Sequence, residues 1–213
     1  GGARGGGGST GGGGEEVWRQ RLGRGGPAGC GGGERRHRTN RDLCRVGVVG
    51  RGKSTVGRLL AKPLGLEFLD SDHEIERLQG RPIARIFAEE GEAKFRALER
   101  DFIERGHPDH GCIVACGGGL VVPAGMLELL RNRGVVICLH APLETILQRT
   151  MHATHRPLFE VENREQRVRE LFAQREEIYR RTGTMVLTDR RPMREIAAHV
   201  LRVYRHEAAH FKK

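Results

Sequence analysis

From residue 42 onward the chain alternates short apolar runs with stretches whose apolar residues recur every three or four positions. The runs Leu43–Val49, Leu66–Leu69, Cys112–Cys116, Val135–Leu139 and Met185–Leu187 read as strands. Helical spacing is found over Lys53–Lys62, His73–Leu78, Pro82–Glu90, Glu92–Glu104, Met126–Arg133, Leu143–Thr150, Arg164–Arg181 and Met193–Arg205. Met151–Glu162 is polar and irregular. Strands alternating with helices imply a parallel sheet covered on both faces. The expected class is therefore α/β, a three-layer α/β/α fold on a five-stranded parallel sheet. Its crossovers should be right-handed, with ligands beyond the C-terminal strand edges.

Residues 1–41 break this pattern. Seventeen of the 32 glycines fall in the first 33 residues, and the large apolar side chains are Val17, Trp18 and Leu22. So little apolar surface cannot offset the entropy of ordering, and the segment reads as a disordered Gly/Arg-rich tail, an artefact or a fragment start. It has neither the apolar core of a signal peptide nor the Ser-rich character of a plastid transit peptide. The tail holds 8 Arg against 3 Glu, half of the net charge of +10, so the domain is far less basic per residue than the chain. With Trp18 as its single aromatic, the tail does not match Arg/Gly repeats that interleave stacking side chains, and no nucleic-acid partner is expected for the domain. No apolar run approaches the roughly 20 residues that span a bilayer. The five cysteines, Cys30, Cys44, Cys112, Cys116 and Cys138, are odd in number and form no C-x-x-C, which points to reduced thiols in a cytoplasmic protein.

Candidate chemistry begins where strand one ends. Gly47-Val48-Val49-Gly50-Arg51-Gly52-Lys53-Ser54-Thr55 fits G-x-x-x-x-G-K-[ST] between a strand and a helix. Glycines there let backbone N–H groups turn around phosphate oxygens, and the helix opens with its positive dipole end toward the anion. Lys53 would reach the β and γ phosphates, and the Ser54 hydroxyl would bind Mg²⁺. This makes the fold a P-loop NTPase or kinase type. The turn after strand two carries Asp70-Ser71-Asp72, and the turn after strand three carries Gly117-Gly118-Gly119. Phe95-Arg96-Ala97-Leu98-Glu99 lies on an intervening helix, Arg156-Pro157-Leu158 in the irregular stretch, and Arg175 on the long helix.

In this order the residues resemble shikimate kinase over about residues 42–205. The family pattern runs G-x-x-G-x-G-K-S-T, D-[ST]-D, F-R-x-x-E, G-G-G, R-P-L and an Arg-bearing helix. The resemblance implies phosphoryl transfer from ATP to the 3-hydroxyl of shikimate, with Mg²⁺, in a chain expected to be monomeric. It further implies an ATP site of Gly50, Arg51, Gly52, Lys53, Ser54, Thr55, Arg149 and Arg156, with Arg149 packing on adenine. The shikimate site would be Asp72, Arg96, Gly117, Gly118, Gly119 and Arg175, the two arginines taking the carboxylate. The catalytic set would be Lys53, Asp72 and Arg156, with Arg156 closing in a lid over about residues 151–162. Asp70 would hold Mg²⁺ through water beside Ser54. Residues 206–213 read as a basic C-terminal tail.

Each residue also has a plainer reading. Asp70 or Asp72 could cap the helix that follows, and Arg96 could pair with Glu92 or Glu99 on a helix surface. Gln174-Arg175-Glu176-Glu177 alone is a charged helix face. Departures from the family are Arg45 inside strand one, Pro63 in the first helix's last turn, Arg51 at a position that is usually small, Phe159 for Leu, and Pro192 offset by one. His206-Glu207-Ala208-Ala209-His210 matches H-E-x-x-H but has no downstream third ligand, so a helix end is expected rather than zinc. His107-Pro108-Asp109-His110-Gly111-Cys112 reads as a loop. Two rival functions are a P-loop kinase for a gluconate-like acid or a nucleoside monophosphate, and a non-catalytic ligand-sensing domain. Acceptor-dependent ADP release discriminates the first, and the retained Lys53, Asp72, Arg96, Gly118 and Arg175 argue against the second.

Overall fold

The apolar runs pair side by side. Strands β1 (Asp42–Gly47), β2 (Glu67–Asp70), β3 (Cys112–Cys116), β4 (Gly134–His140) and β5 (Thr184–Leu187) lie in the order β2-β3-β1-β4-β5, and every pairing is parallel. The structure is a computed structural model that describes residues 42–47, 52–108, 111–151, 163–189 and 191–210, with side chains for all but 42–47, 149–151 and 164. β1 is central. Val46 lies opposite Cys116 on one side and Cys138 on the other. Arg45, the unexpected strand residue, is in register with Ala115 and Ile137; its side chain is outside the described set. β3 spans the expected Cys112–Cys116, the ends of β2, β4 and β5 differ from the apolar runs by at most one residue, and the expected extension of β1 to Val49 lies outside the described residues.

The connecting helices are α1 (Lys53–Leu64), α2 (Ser71–Gln79), α3 (Ile83–Arg105), α4 (Met126–Arg133), α5 (Leu143–Met151), α6 (Arg164–Arg180) and α7 (Met193–His210). The two helices expected over 82–104 run end to end as α3. They are separated by Gly91, whose φ of 79° and ψ of 173° lie outside the helical region and favour glycine. Pro63 does not shorten α1. The helix continues to Leu64 and closes on Gly65, in the left-handed region, whose N–H donates to Lys62 O while Leu66 N–H donates to Ala61 O. α7 continues past the expected end at 205, so the predicted tail from 206 is helical as far as His210.

Side chains alternate across the sheet and sort the core into two clusters. Ile113, Val135, Ile137, Leu139 and Val186 pack with Val56 and Leu60 of α1 and with Ile196, Val200 and Tyr204 of α7. Cys112, Val114, Cys116, Val136 and Cys138 pack with helices α2 to α6 through Ile75, Phe102, Leu130, Ile146, Leu171 and Tyr179. Each fully buried Leu, Ile or Phe contributes roughly 1.5–3 kcal/mol, so both helical coverings hold the strand ends in place. No helix among the described residues is long and apolar enough to cross a membrane.

Candidate active site

The C-terminal ends of β1, β2 and β3 feed α1, α2 and a glycine turn, and the polar residues of interest gather there. α1 begins at Gly52, which has φ 124° and provides no side-chain cap; the first turn of α1 contains no acidic residue. A helix start with no side-chain cap and no acidic residue of its own in the first turn suits an anion. Lys53, Ser54 and Thr55 occupy that first turn. Lys53 and Ser54 are half-buried and Thr55 is exposed.

β2 ends in Asp70, which does two things at once. Its Oδ1 accepts from Asp72 N–H at 3.2 Å, so Asp70 is the N-cap of α2, as the plainer reading had it. Its Oδ2 accepts from the Ser54 hydroxyl at 2.7 Å, across 16 residues of sequence. A hydroxyl and a carboxylate brought to one point are hard oxygen donors of the kind Mg²⁺ takes, so the residues fit that ion. Asp72 is not the cap. It lies in the first turn of α2, with Oδ1 accepting from the Ser71 hydroxyl at 3.3 Å.

Asp72 faces the turn after β3. A Cβ on Gly117 would lie 3.2 Å from Asp72 Oδ1 and 3.7 Å from Glu99 Oε1. A Cβ on Gly119 would lie 2.7 and 2.8 Å from the two terminal nitrogens of Arg96. Backbone and charged side chains therefore meet closely here, and a Cβ at Gly119 would require the Arg96 guanidinium to move. The turn itself is closed by Leu120 N–H to Gly117 O and Val122 N–H to Gly119 O, each 3.1 Å.

Arg96 does pair with the carboxylates of its own helix, donating to Glu92 Oε1 at 2.7 Å and Glu99 Oε2 at 2.6 Å. It is no solvated surface pair, because Glu99 is only 2% exposed. Burial pushes the Glu99 carboxyl up to about 7; Arg96 opposes this, while Asp72 and Glu92 add to it. Burial works against the Arg96 charge, but Glu99 and Glu92 still raise its pKa above the ordinary value. Glu99 was visible only as the last letter of F-R-x-x-E. Its i+3 spacing from Arg96 was the available signal for a site role.

Arg175 is half-buried on α6, one turn before the buried Tyr179. Burial raises the Tyr179 phenol above its usual pKa, while a hydrogen bond and charge from Arg175, and charge from Arg96, pull it down. Lys53 also lies within electrostatic reach of Cys138 on β4, a thiol that burial pushes up to about 11. Thus Lys53, Ser54, Asp70, Asp72, Arg96, the glycine turn and Arg175 all lie toward one edge of the sheet. Gly50, Arg51, Arg156 and the side chain of Arg149 lie outside the described residues, as does the tail.

The distracting motifs have structural partners. Glu207 accepts from the Thr184 hydroxyl at 3.0 Å, and His206 and His210 stack with ring centroids 4.7 Å apart. His107 is buried with its ring nitrogens 2.8 Å from Pro108 O and 3.0 Å from Ile103 O. Among the described residues, no group of three His, Cys, Asp or Glu side chains converges as metal ligands do.

A parallel α/β sheet with a helix start, two aspartates and two arginines toward one edge shares its fold with the solved P-loop kinases. A family model described as shikimate kinase matches residues 49–205, and the chain belongs to that family. Shikimate kinase from Acinetobacter baylyi is 44% identical over 166 residues, 78% of this chain and 92% of that one. Shikimate kinase from Halorhodospira halophila is 46% identical over 150 residues, covering 70% and 85%. Among solved structures, shikimate kinase from Acinetobacter baumannii in complex with shikimate superposes with a TM-score of 0.71 at 40% identity, covering 79% of this chain and 95% of that chain. A gluconokinase from Sinorhizobium meliloti, at 19% identity and a TM-score of 0.55, shares the fold.

Proposed function

We propose that the chain transfers the γ-phosphoryl group of ATP to the 3-hydroxyl of shikimate, giving shikimate 3-phosphate and ADP, a step of chorismate and aromatic amino-acid biosynthesis. The observation that carries this reading is the convergence of Arg96, Asp72 and the Gly117–Gly119 turn, which offers a guanidinium and a carboxylate side by side against bare backbone. A small carboxylate triol needs that combination: a cation for its carboxylate, an acceptor for its hydroxyls, and no side chain in between. Family membership and the shikimate complex of the A. baumannii relative support the same acceptor.

In this reading Gly50, Arg51, Gly52, Lys53, Ser54 and Thr55 cradle the ATP phosphates, Arg149 packs on adenine, and Arg156 closes from a lid over about 151–162. Arg96 and Arg175 hold the shikimate carboxylate, and Gly117, Gly118 and Gly119 let the ring approach the main chain. Asp72 accepts a hydrogen bond from the attacking hydroxyl and takes up its proton as the O–P bond forms. With a loose transition state, the precise aim of that hydroxyl matters more than its prior ionisation. Ser54, and Asp70 through water, would hold Mg²⁺, which would supply a counter-charge for the ATP phosphates. Lys53 does the same from the protein side and stabilises charge on the transferring group. The full architecture is then the three-layer P-loop kinase fold on a five-stranded parallel sheet, formed by residues 42–205 after a Gly/Arg-rich tail. The active species is a cytoplasmic monomer that takes shikimate and ATP and needs no nucleic acid.

A coupled ADP-release assay with shikimate, gluconate and nucleoside monophosphates tests the reading. Shikimate-dependent release is expected. Release with gluconate alone, or with no acceptor preference, would overturn it.

A further inference from the structure

We infer that Tyr179 is a positioning residue for the acceptor, holding the glycine turn and Arg175 in register through one buried hydroxyl. This inference rests on the proposed shikimate site. Tyr179 is 1% exposed, so its ring is fixed by the core around it and its oxygen has one place to be. The hydroxyl donates to Gly118 O at 2.8 Å, across 61 residues of sequence. Arg175 lies four residues earlier on the same helix, α6, one turn from Tyr179, and its charge acts on the phenol.

The consequence is geometric. Gly118 sits between Gly117, which abuts Asp72, and Gly119, which abuts Arg96. Arg175 comes from a different helix, on the far side of the turn. Among the described residues, the Tyr179–Gly118 hydrogen bond is what ties α6 to this turn. With it, the two arginines proposed for the carboxylate are indexed to the same stretch of main chain. Buried hydrogen bonds of this kind fix orientation because the alternative is an unsatisfied polar group. Neither contact involves the helix start of α1, so the nucleotide side should not depend on it.

The test is Tyr179→Phe, which keeps the ring and removes the oxygen. KM for shikimate should rise about tenfold, the cost of one hydrogen bond to a charged group, with KM for ATP unchanged. The calorimetric Kd for shikimate should move in parallel. A purely structural role would instead lower kcat and melting temperature with both KM values unaltered, and that result overturns the inference. A second measurement uses Arg175→Ala and the double variant Arg175→Ala/Tyr179→Phe. If Tyr179 acts through Arg175, the double variant should bind shikimate less weakly than the product of the two single losses. Independent, multiplying losses would overturn the coupling. Wild-type protein without shikimate-dependent turnover would refute the functional reading and this inference with it; wild-type turnover with an unshifted Tyr179→Phe refutes the inference alone.

Discussion

Gly119→Ala is the sharpest probe of the acceptor side. The new Cβ would lie 2.7 Å from one terminal nitrogen of Arg96, 2.8 Å from the other and 3.1 Å from the guanidinium carbon. Optimal non-bonded separations are about 3.5–4.0 Å, so the guanidinium must retreat by roughly 0.7 Å or more. The backbone itself does not resist alanine, since Gly119 is not among the positive-φ glycines. The strain therefore falls on Arg96, a flexible side chain, and the cost comes from its anchors. Its bonds of 2.7 Å to Glu92 and 2.6 Å to Glu99 must stretch or break. A charge-assisted hydrogen bond contributes roughly 1.5–3 kcal/mol, which corresponds to about 10- to 150-fold in kcat/KM for shikimate. The loss should appear mainly as a higher KM for shikimate, with KM for ATP within about twofold of the wild type. The assay is steady-state ADP release, titrating each substrate in turn, with thermal unfolding as the control for folding. An unchanged KM for shikimate in a folded Gly119→Ala protein would falsify the placement of Arg96 on the carboxylate.

Asp72→Asn should lower kcat by at least two orders of magnitude with nucleotide affinity retained, read by single-turnover phosphoryl transfer. Normal turnover would remove Asp72 from the chemistry. Asp70→Ala loses the partner of Ser54 and the N-cap of α2 together, so it should raise the Mg²⁺ concentration needed for half-maximal activity and destabilise the fold by about 1 kcal/mol. Asp70→Asn retains a cap and should show the Mg²⁺ effect with a smaller loss of stability. The buried Glu99 carboxyl, pushed up to about 7 from 4.5, keeps a proton that the unfolded chain releases. Its contribution is thus most favourable below about 4.5 and declines as pH rises to about 7, by about 3 kcal/mol at the limit. Urea titrations should show wild-type stability falling across that window relative to Glu99→Gln; parallel curves would contradict it. Shikimate binding near pH 7.5 should be accompanied by proton uptake, seen as a buffer-dependent heat that Glu99→Gln abolishes.

The strand and helix sequence was legible because each strand of this sheet is an apolar run and each helix has its own spacing, with glycine or proline between. Boundaries were less so. Gly91 splits the pattern at 82–104, and α3 follows it: the non-helical φ and ψ of Gly91 kink the element into the two helical halves that the spacing predicts. α7 was expected to stop at Arg205, although Tyr204 and Ala208 share its buried face, a signal that helical spacing continues beyond that point. Of the site, the motif residues and the strand edge they share were readable, and the contacts among them were not. Asp70 looked like either a cap or a metal-side carboxylate, and the structure shows it capping with one oxygen and meeting Ser54 with the other. Tyr179 was invisible for a plain reason. A tyrosine four residues after an arginine on a charged helix looks like core, and its ring is core; the partner of its hydroxyl is 61 residues away.

The charge balance on the acceptor side follows from Glu99. With Glu99 ionised, Arg96 already faces two carboxylates, those of Glu92 and Glu99, and Asp72 lies close by. A guanidinium so compensated offers an incoming carboxylate little net attraction. With Glu99 protonated the balance reverses, since Glu92 is exposed and screened while the buried neighbour no longer competes. Burial sets that carboxyl at about 7, where either state is cheap to reach. An anion arriving beside Arg96 adds one more negative charge to a low-dielectric pocket and drives the Glu99 pKa further up, so binding and proton uptake are linked. Arg175 shares α6 with Tyr179, whose hydroxyl is bonded to Gly118 O, and among the described residues no ion pair with a buried carboxylate is found for it. The two arginines therefore differ in kind. In the proposed acceptor site Arg175 would supply a standing charge, and Arg96 one whose strength depends on the protonation of Glu99.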